Sequence, residues 1–253
     1  MSTLLLYEKP VALSRDAHRH LKMRGTGGSF AFAASTNSVP LACSEFAQAA
    51  CEYPIVFALD GKGQSLPVAL LGLRQDENVF IAEDGKWDNG YIPAFVRRYP
   101  FLLAEKAQAD DFTVCIDEAY EGFGTGAEGE PLFAEDGNEA PALKQAIEFL
   151  NQFQGEFKRT QAFVERLKAL DILIPRIVQF TPKDAAPYVL QGFAVVDEKR
   201  LTALDDKQLG ELMRTGYLGW IHAHLVSLGN VNKLSRRFEL RLAAAARKTS
   251  STQ

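Results

Sequence analysis

The stretch "GKWDNGYIPAFVRRYPF", residues 85–101, concentrates side chains that could bind a ligand. It contains the aromatic residues Trp87 and Tyr91 and the adjacent cations Arg97 and Arg98. An aromatic face can stack on a planar group, and a guanidinium beside it can hold an anion through charge-assisted hydrogen bonds. We therefore predict that these four side chains bind a small anionic or aromatic ligand.

The same stretch also predicts a short helix. Pro93 suits the first turn of a helix, where its missing N–H is harmless, and Pro100 disfavours helical geometry in the residue before it. The apolar and aromatic residues between the prolines recur at helical spacing, so we expect them in the core, together with the residues at either end: Ile92, Phe95, Val96, Tyr99 and Phe101.

A second candidate site involves His224. It falls on the apolar stripe of a predicted helix, which indicates a hydrogen-bonded core histidine. The alternative is an acid/base group that lines a pocket with Asp117 or Glu118. These three residues are the catalytic candidates if the protein is an enzyme. We favour a protein without catalysis and keep the enzyme as the alternative.

The sequence predicts no metal site. His222 and His224 are two positions apart, whereas chelating pairs on one helix face are three or four apart. The cysteines lack C-x-x-C spacing and are odd in number, so buried, reduced thiols are expected at Cys43, Cys51 and Cys115.

The sequence predicts no cofactor either. "GFGTGA" at 122–127 matches the dinucleotide pattern G-x-G-x-x-A, but that pattern requires a helix to follow at once. Here the next residues include Pro131, two glycines and several acids. We expect an acidic surface loop.

The composition is that of a globular protein. Of 253 residues, 47% are hydrophobic and 24% are charged, and the net charge of -4 argues against a nucleic-acid partner. The N-terminal segment lacks the pattern of a signal peptide, and no stretch reaches the roughly 18 uninterrupted apolar residues of a membrane span. We expect a cytoplasmic protein with no membrane span.

The pattern of elements predicts an α+β fold with a largely antiparallel meander sheet, packed by helices from the second half of the chain. In the first half, β-branched and aromatic runs separated by turn sequences such as "DGKGQS" predict strands at 53–59, 67–74, 78–83 and 112–120. A further strand is expected at 28–35, before a short helix led by Ser44.

In the second half, helical periodicity predicts a helix over 142–170, which Gly155 could divide. Two strands should follow at 172–180 and 188–198, and a last helix over about 205–228 should stop at Gly229 and Asn230. We expect one domain, residues 1–241, and a flexible tail, residues 242–253.

The chain resembles the bacterial SapC proteins from about Tyr7 to Arg237. The resemblance lies in "YPIVF" at 53–57, "ALLGL" at 69–73, "NVFI" with "GKW" at 78–87, "YIPAFVRRYPF" at 91–101, and "HLVSLGN" at 224–230 with Leu234. The YPIVF and RRYPF blocks together are the distinctive part.

The resemblance implies a link to bacterial surface-layer gene clusters, with a role in exporting or assembling the surface-layer protein. It also implies an association with genes for tryptophan-halogenase-like proteins and TonB-dependent receptors, whose products are candidate protein partners. It brings no set of catalytic residues. We therefore expect a non-enzymatic accessory protein that binds a peptide, a sugar or an aromatic compound, with a purely structural role as a further alternative.

Overall fold

The computed structural model describes residues 5–25, 27–59, 65–88, 90–105, 112–180 and 188–251. Its strands are β1 (Pro10–Ala12), β2 (Lys22–Met23), β3 (Ser38–Pro40), β4 (Ile55–Leu59), β5 (Ser65–Leu70), β6 (Phe101–Glu105), β7 (Phe112–Asp117), β8 (Phe123–Gly124), β9 (Glu130–Pro131), β10 (Leu173–Phe180) and β11 (Tyr188–Val196). Its helices are α1 (Phe46–Ala49), α2 (Ala94–Arg97), α3 (Pro141–Ala169), α4 (Glu198–Thr202), α5 (Asp206–Arg214), α6 (Tyr217–Ser227) and α7 (Val231–Ser251). Short 3-10 turns occur at Ala31–Ala33, Cys43–Glu45 and Leu228–Asn230.

The strands form three antiparallel sheets. The largest has five strands in the order β10-β11-β4-β5-β3, and two three-stranded sheets have the orders β1-β7-β6 and β8-β2-β9. Strands β4 and β5 pair as a hairpin from Leu59 and Ser65 inwards, as short connections favour, and the predicted turn at 60–64 lies outside the described residues. With most of the helices in the second half, the predicted α+β class is confirmed.

Helix α3 is continuous through Gly155, so the predicted division does not occur. Its buried side chains recur along one stripe, which includes Leu150, Phe153, Phe163 and Leu167. A glycine inside a helix costs about 1 kcal/mol relative to alanine, and burial of several large side chains outweighs that cost.

Two predicted strands are wrong. Residues 78–83 form turns with one isolated bridge, between Ile81 and Trp87. The apolar side chains of this segment are buried although its backbone does not pair in a β-ladder. The buried Asn78 side chain supplies hydrogen bonds to the backbone instead: its amide donates to the Ala33 carbonyl, and its oxygen accepts from the Phe80 N–H. Residues 28–35 contain a 3-10 turn instead of a strand.

The last predicted helix is two helices, α5 and α6, separated at Gly216, whose φ of +80° is the left-handed region that glycine favours. The chain does not stop at Gly229 and Asn230 but continues into α7, which includes most of the segment predicted as a tail. The division into one domain and a tail stays a prediction. None of the described helices is long and apolar enough to cross a membrane.

The three cysteines differ in exposure, and this generates a first testable prediction. Cys51 is exposed, whereas Cys43 and Cys115 are buried, and burial raises the pKa of the Cys43 thiol to about 12. Because the thiolate is the reactive form, we expect only Cys51 to react quickly with a disulfide reagent in the folded protein. Titration with Ellman's reagent should show one fast thiol, absent in Cys51→Ser, and all three in guanidinium. Fast labelling that survives Cys51→Ser would contradict this packing.

Candidate functional site

The segment from Tyr91 to Phe101 begins at the buried side chain of Glu45, which is 6% exposed. The Tyr91 hydroxyl donates to Glu45 Oε1 at 2.6 Å, and the Ala94 backbone N–H at the start of α2 donates to the same oxygen at 2.7 Å. The other oxygen accepts from the Ala42 N–H at 3.0 Å. One carboxylate therefore joins the turn before α1 to the first turn of α2.

The segment ends beside a second buried carboxylate. Asp117 is fully enclosed and accepts backbone hydrogen bonds from Glu8 at 3.0 Å, Lys9 at 2.8 Å and Ala119 at 3.2 Å. The Tyr99 hydroxyl is also hydrogen-bonded to it, and burial together with the Asp117 charge raises the pKa of Tyr99. Asp117 is thus occupied by structural contacts.

Trp87 lies in the core. Its side chain is 8% exposed, and its indole N–H donates to the Tyr53 hydroxyl at 2.9 Å. The Tyr53 hydroxyl in turn donates to the Tyr91 carbonyl oxygen. The Phe30 ring and the indole pack edge to face, with 5.9 Å between the ring centroids.

Arg98 is also internal, at 7% exposure. Its guanidinium carbon lies 4.0 Å from the centre of the Phe95 ring, 5.4 Å from that of Phe153 and 5.7 Å from that of Tyr7. These are cation–π distances, and the guanidinium donates to the Tyr7 hydroxyl oxygen, whose own O–H donates to the Phe101 carbonyl at 2.7 Å. Burial lowers the pKa of Arg98.

Arg97 is the exposed member of the arginine pair. Its Nε donates to the Ile92 carbonyl at 2.9 Å, and its guanidinium carbon lies 5.2 Å from the Phe149 ring centre and 6.0 Å from that of the half-buried Tyr91. The structure therefore divides the four predicted ligand residues: Tyr91 and Arg97 reach the surface together, while Trp87 and Arg98 are directed into the core.

His224 is fully buried and hydrogen-bonded at both ring nitrogens. Nδ1 lies 2.9 Å from the Ile55 carbonyl oxygen, and Nε2 accepts from the Val196 N–H at 3.1 Å. The ring is therefore neutral with its proton on Nδ1. The register that pairs Ala194 with Phe57 would bring Val196 opposite Ile55, so the imidazole stands between β11 and β4 where a direct backbone bond would otherwise form.

The three catalytic candidates do not share a site. Glu118 is on the surface, where it accepts from the Lys9 ammonium at 2.7 Å and lies 3.5 Å from His18 Nε2. Asp117 and His224 are each enclosed by different backbone partners. In the described part of the chain, no group of three or more His, Cys, Asp or Glu side chains could hold a metal ion.

A cavity of about 520 Å³ opens beside Tyr99, in the middle of the RRYPF block. Its aromatic wall consists of Phe32, Tyr99 and Tyr120: the first two rings are stacked with centroids 3.9 Å apart, and the second pair meets edge to face at 5.6 Å. The charged residues of its lining are Glu8, Arg24 and Glu121. We name this site the aromatic cavity.

Two local features shape the aromatic cavity. The Tyr120 hydroxyl donates to the Arg24 carbonyl oxygen at 2.7 Å, which fixes the ring. Gly122, the first glycine of the GFGTGA stretch, lies against that ring, and a Cβ there would come within 2.4 Å of it. The glycine of this dinucleotide-like pattern therefore has a packing role.

Sequence reasoning missed Phe32, Tyr120 and Arg24 as cavity residues and assigned Tyr99 to the core. Helical spacing shows which residues share a side of a helix, but it does not show that a cavity lies there. The available signal was the cluster of glycines around Arg24 and before Phe32, since such clusters allow a backbone to follow an irregular path around a ligand site.

Comparisons with known proteins give one result. A family model described as SapC matches residues 13–234, which is most of the chain. No curated protein and no solved structure matches significantly.

Replacing Glu45 should reveal its part in holding this segment. In Glu45→Gln an amide NH₂ must face at least one of the donors that the carboxylate now accepts. We expect the free energy of unfolding in urea to fall by about 2–3 kcal/mol. The exposed Glu239→Gln is the matched control and should change stability by less than about 0.5 kcal/mol. Equal effects would show that the Glu45 contacts are unimportant.

His224 should make the fold sensitive to acid. Burial lowers its pKa to about 4, below the roughly 6.5 of an unfolded histidine. Below pH 6.5 this histidine binds a proton in the unfolded chain but stays neutral in the folded protein. The free energy of unfolding should therefore fall by about 3 kcal/mol between pH 6.5 and 4.

The measurement is the urea stability of the protein and of His224→Gln from pH 7 to 4.5. The variant should be less stable at pH 7 but lose stability with a shallower slope, because the titrating group is gone. The exposed His222→Gln should keep the slope of the unaltered protein. If both variants have that slope, His224 does not carry the effect.

Proposed function

We propose that this chain, which belongs to the SapC family, is an accessory protein that binds a ligand without transforming it. The ligand is an aromatic ring or a sugar ring, free or as part of a peptide, and it binds in the aromatic cavity. The link to surface-layer assembly or nutrient uptake comes from the family. Candidate protein partners are the products of the surface-layer, halogenase-like and TonB-dependent receptor gene clusters.

The observation that carries this proposal is the aromatic wall of Phe32, Tyr99 and Tyr120. Ring faces bind planar or flat-faced ligands by stacking, and a volume of about 520 Å³ falls within the range of small-molecule sites. Tyr99 belongs to the RRYPF block, so the site adjoins the segment whose side chains predicted ligand binding. It shares the aromatic wall of the predicted chemistry, whereas its one guanidinium, that of Arg24, is engaged by other protein groups.

Charge favours a neutral or cationic ligand in this cavity. The lining has two carboxylates, Glu8 and Glu121, and one guanidinium, Arg24. Arg24 is already engaged, because its Nη1 lies 3.5 Å from a Glu128 carboxylate oxygen and its Nη2 donates to the Glu121 carbonyl at 3.4 Å. An anionic ligand would meet an excess of negative charge.

The proposal of a non-enzymatic role is supported by the placement of the acid/base candidates. His224 and Asp117 have no hydrogen-bonding partner in common, and His224 is enclosed in the core.

The experiment is a calorimetric titration of the full chain with four probes: tyramine, benzyl alcohol, hydrocinnamate and methyl glucoside. We expect a ring-bearing probe to bind, and tyramine to bind more tightly than hydrocinnamate because of the carboxylates. Phe32→Ala removes one stacked face and should weaken binding about tenfold.

The matched control is Phe149→Ala, which removes an equally large, half-buried ring beside Arg97 and away from the aromatic cavity. It should leave affinity unchanged. If Phe149→Ala or Arg97→Ala weakens binding and Phe32→Ala does not, the ligand binds at the Tyr91 and Arg97 surface instead. Absence of binding by all four probes would overturn the proposal.

A further inference from the structure

A second cavity, of about 600 Å³, lies between the five-stranded sheet and the junction of α6 with α7. We name it the apolar cleft. Its walls include Val56 of β4, Phe193 and Val195 of β11, and Leu225 and Leu228 from the end of α6 and the turn after it. It has no lining residue in common with the aromatic cavity.

The cleft is built by two departures from a regular sheet. The first is the imidazole of His224, which occupies the place of a backbone hydrogen bond between β4 and β11. Strands in direct contact are about 4.8 Å apart, and a ring inserted between Ile55 and Val196 must hold them further apart at that point. Val56 and Val195, the neighbouring pair of the same register, line the cleft.

The second departure is a bulge in β11. The pairing shifts between Arg176 and Val178: Arg176 pairs with Phe193, and Val178 pairs with Leu190, so β11 has one more residue than β10. Gly192 there has φ of +84°, which other residues rarely adopt. The extra residue reverses the alternation of faces, so that Leu190 lines the cleft together with Phe193 and Val195.

Charged side chains at the cleft differ in how far they are engaged. Arg176 and Lys199 are exposed, and neither side chain makes an ion pair among the described residues. The Asp197 carboxylate accepts from the Lys199 N–H at 2.8 Å and the Arg200 N–H at 3.3 Å as the cap of α4. The Asp197 carboxylate is therefore engaged by the backbone N–H groups at the start of α4. Glu198 is the other acidic residue that lines the cleft.

We propose that the apolar cleft holds the hydrocarbon chain of a single-chain amphiphile whose head group is a carboxylate. The hydrocarbon chain is removed from water against the valines, leucines and Phe193, which is favourable because apolar surface is transferred out of water. The carboxylate stays at the solvent edge, because its burial would be costly, and it binds Arg176 and Lys199 there. This site is independent of the aromatic cavity and of the function proposed for it.

The test is a fluorescence titration of the full chain with cis-parinarate, followed by displacement with amphiphiles of equal chain length. Dodecanoate should displace the probe at least tenfold more effectively than dodecyltrimethylammonium, with dodecanol between them. If the three displace equally, the assignment of a carboxylate head group is wrong. If cis-parinarate does not bind, the proposal is overturned.

Variants at two neighbouring positions in β11 test where the hydrocarbon chain binds. Leu190→Trp places a large side chain in the cleft and should weaken binding at least tenfold. Val189→Trp alters the adjacent residue, which is 53% exposed and does not line the cleft, and should leave binding unchanged. If both variants weaken binding equally, the hydrocarbon chain does not bind in the apolar cleft.

Charge removal locates the head group. Arg176→Gln and Lys199→Gln should each weaken dodecanoate about tenfold, which is the range for one charge-assisted hydrogen bond, and should leave dodecanol unaffected. Lys207→Gln, at an exposed position of α5, is the control for net charge. Equal losses in all three variants would show a general charge effect and overturn the head-group site. Phe32→Ala should not alter cis-parinarate binding; a loss there would show that the probe occupies the aromatic cavity.

Discussion

Two buried carboxylates, Glu45 and Asp117, impose the constraint on which the central region depends. A carboxylate removed from water is tolerated only where its lone pairs accept several hydrogen bonds. Glu45 meets this with donors from Ala42, which precedes the 3-10 turn before α1, and from Tyr91 and α2. Asp117 meets it with donors from the N-terminal segment, from the residues after β7 and from Tyr99. The segment between Tyr91 and Tyr99 is thereby fixed at both ends.

This constraint explains why some arginines and aromatic residues of the segment are buried and others lie at the surface. With both ends held, the α2 turn directs Arg98 into the interior, where three aromatic rings surround it, and directs Arg97 outwards over Phe149. Tyr99, held by Asp117, presents one face to Phe32 and completes the aromatic cavity. Glu45 and Asp117 therefore set the positions of Arg97 and of the Tyr99 ring, although neither carboxylate lines the aromatic cavity.

The sequence allowed the fold class, the long helix α3 and the strands β10 and β11 to be predicted. The apolar stripe of α3 reflects one buried face, and the two strands are apolar runs rich in β-branched residues. It misassigned residues 78–83, because an apolar run shows burial and not how the backbone is satisfied; here a buried asparagine takes the place of a ladder. The same limit applies to the candidate ligand residues. Residue type identified a cluster of aromatic and cationic groups, but the direction of Trp87 and Arg98 depends on distant partners such as Tyr53 and Tyr7.

The imidazole between β4 and β11 divides the largest sheet into two parts, which we call plates. Strands β10 and β11 form one plate and β4, β5 and β3 the other, and the seam between them consists of two residue pairs, Phe193 with Ala58 and Ala194 with Phe57, and one aromatic ring. A seam with so few backbone bonds resists bending less than the ladder within either plate. Helix α6 carries this ring and also Ser227, whose hydroxyl oxygen accepts from the Ile55 N–H at 2.9 Å, so a displacement of the helix would reach the sheet through these two side chains.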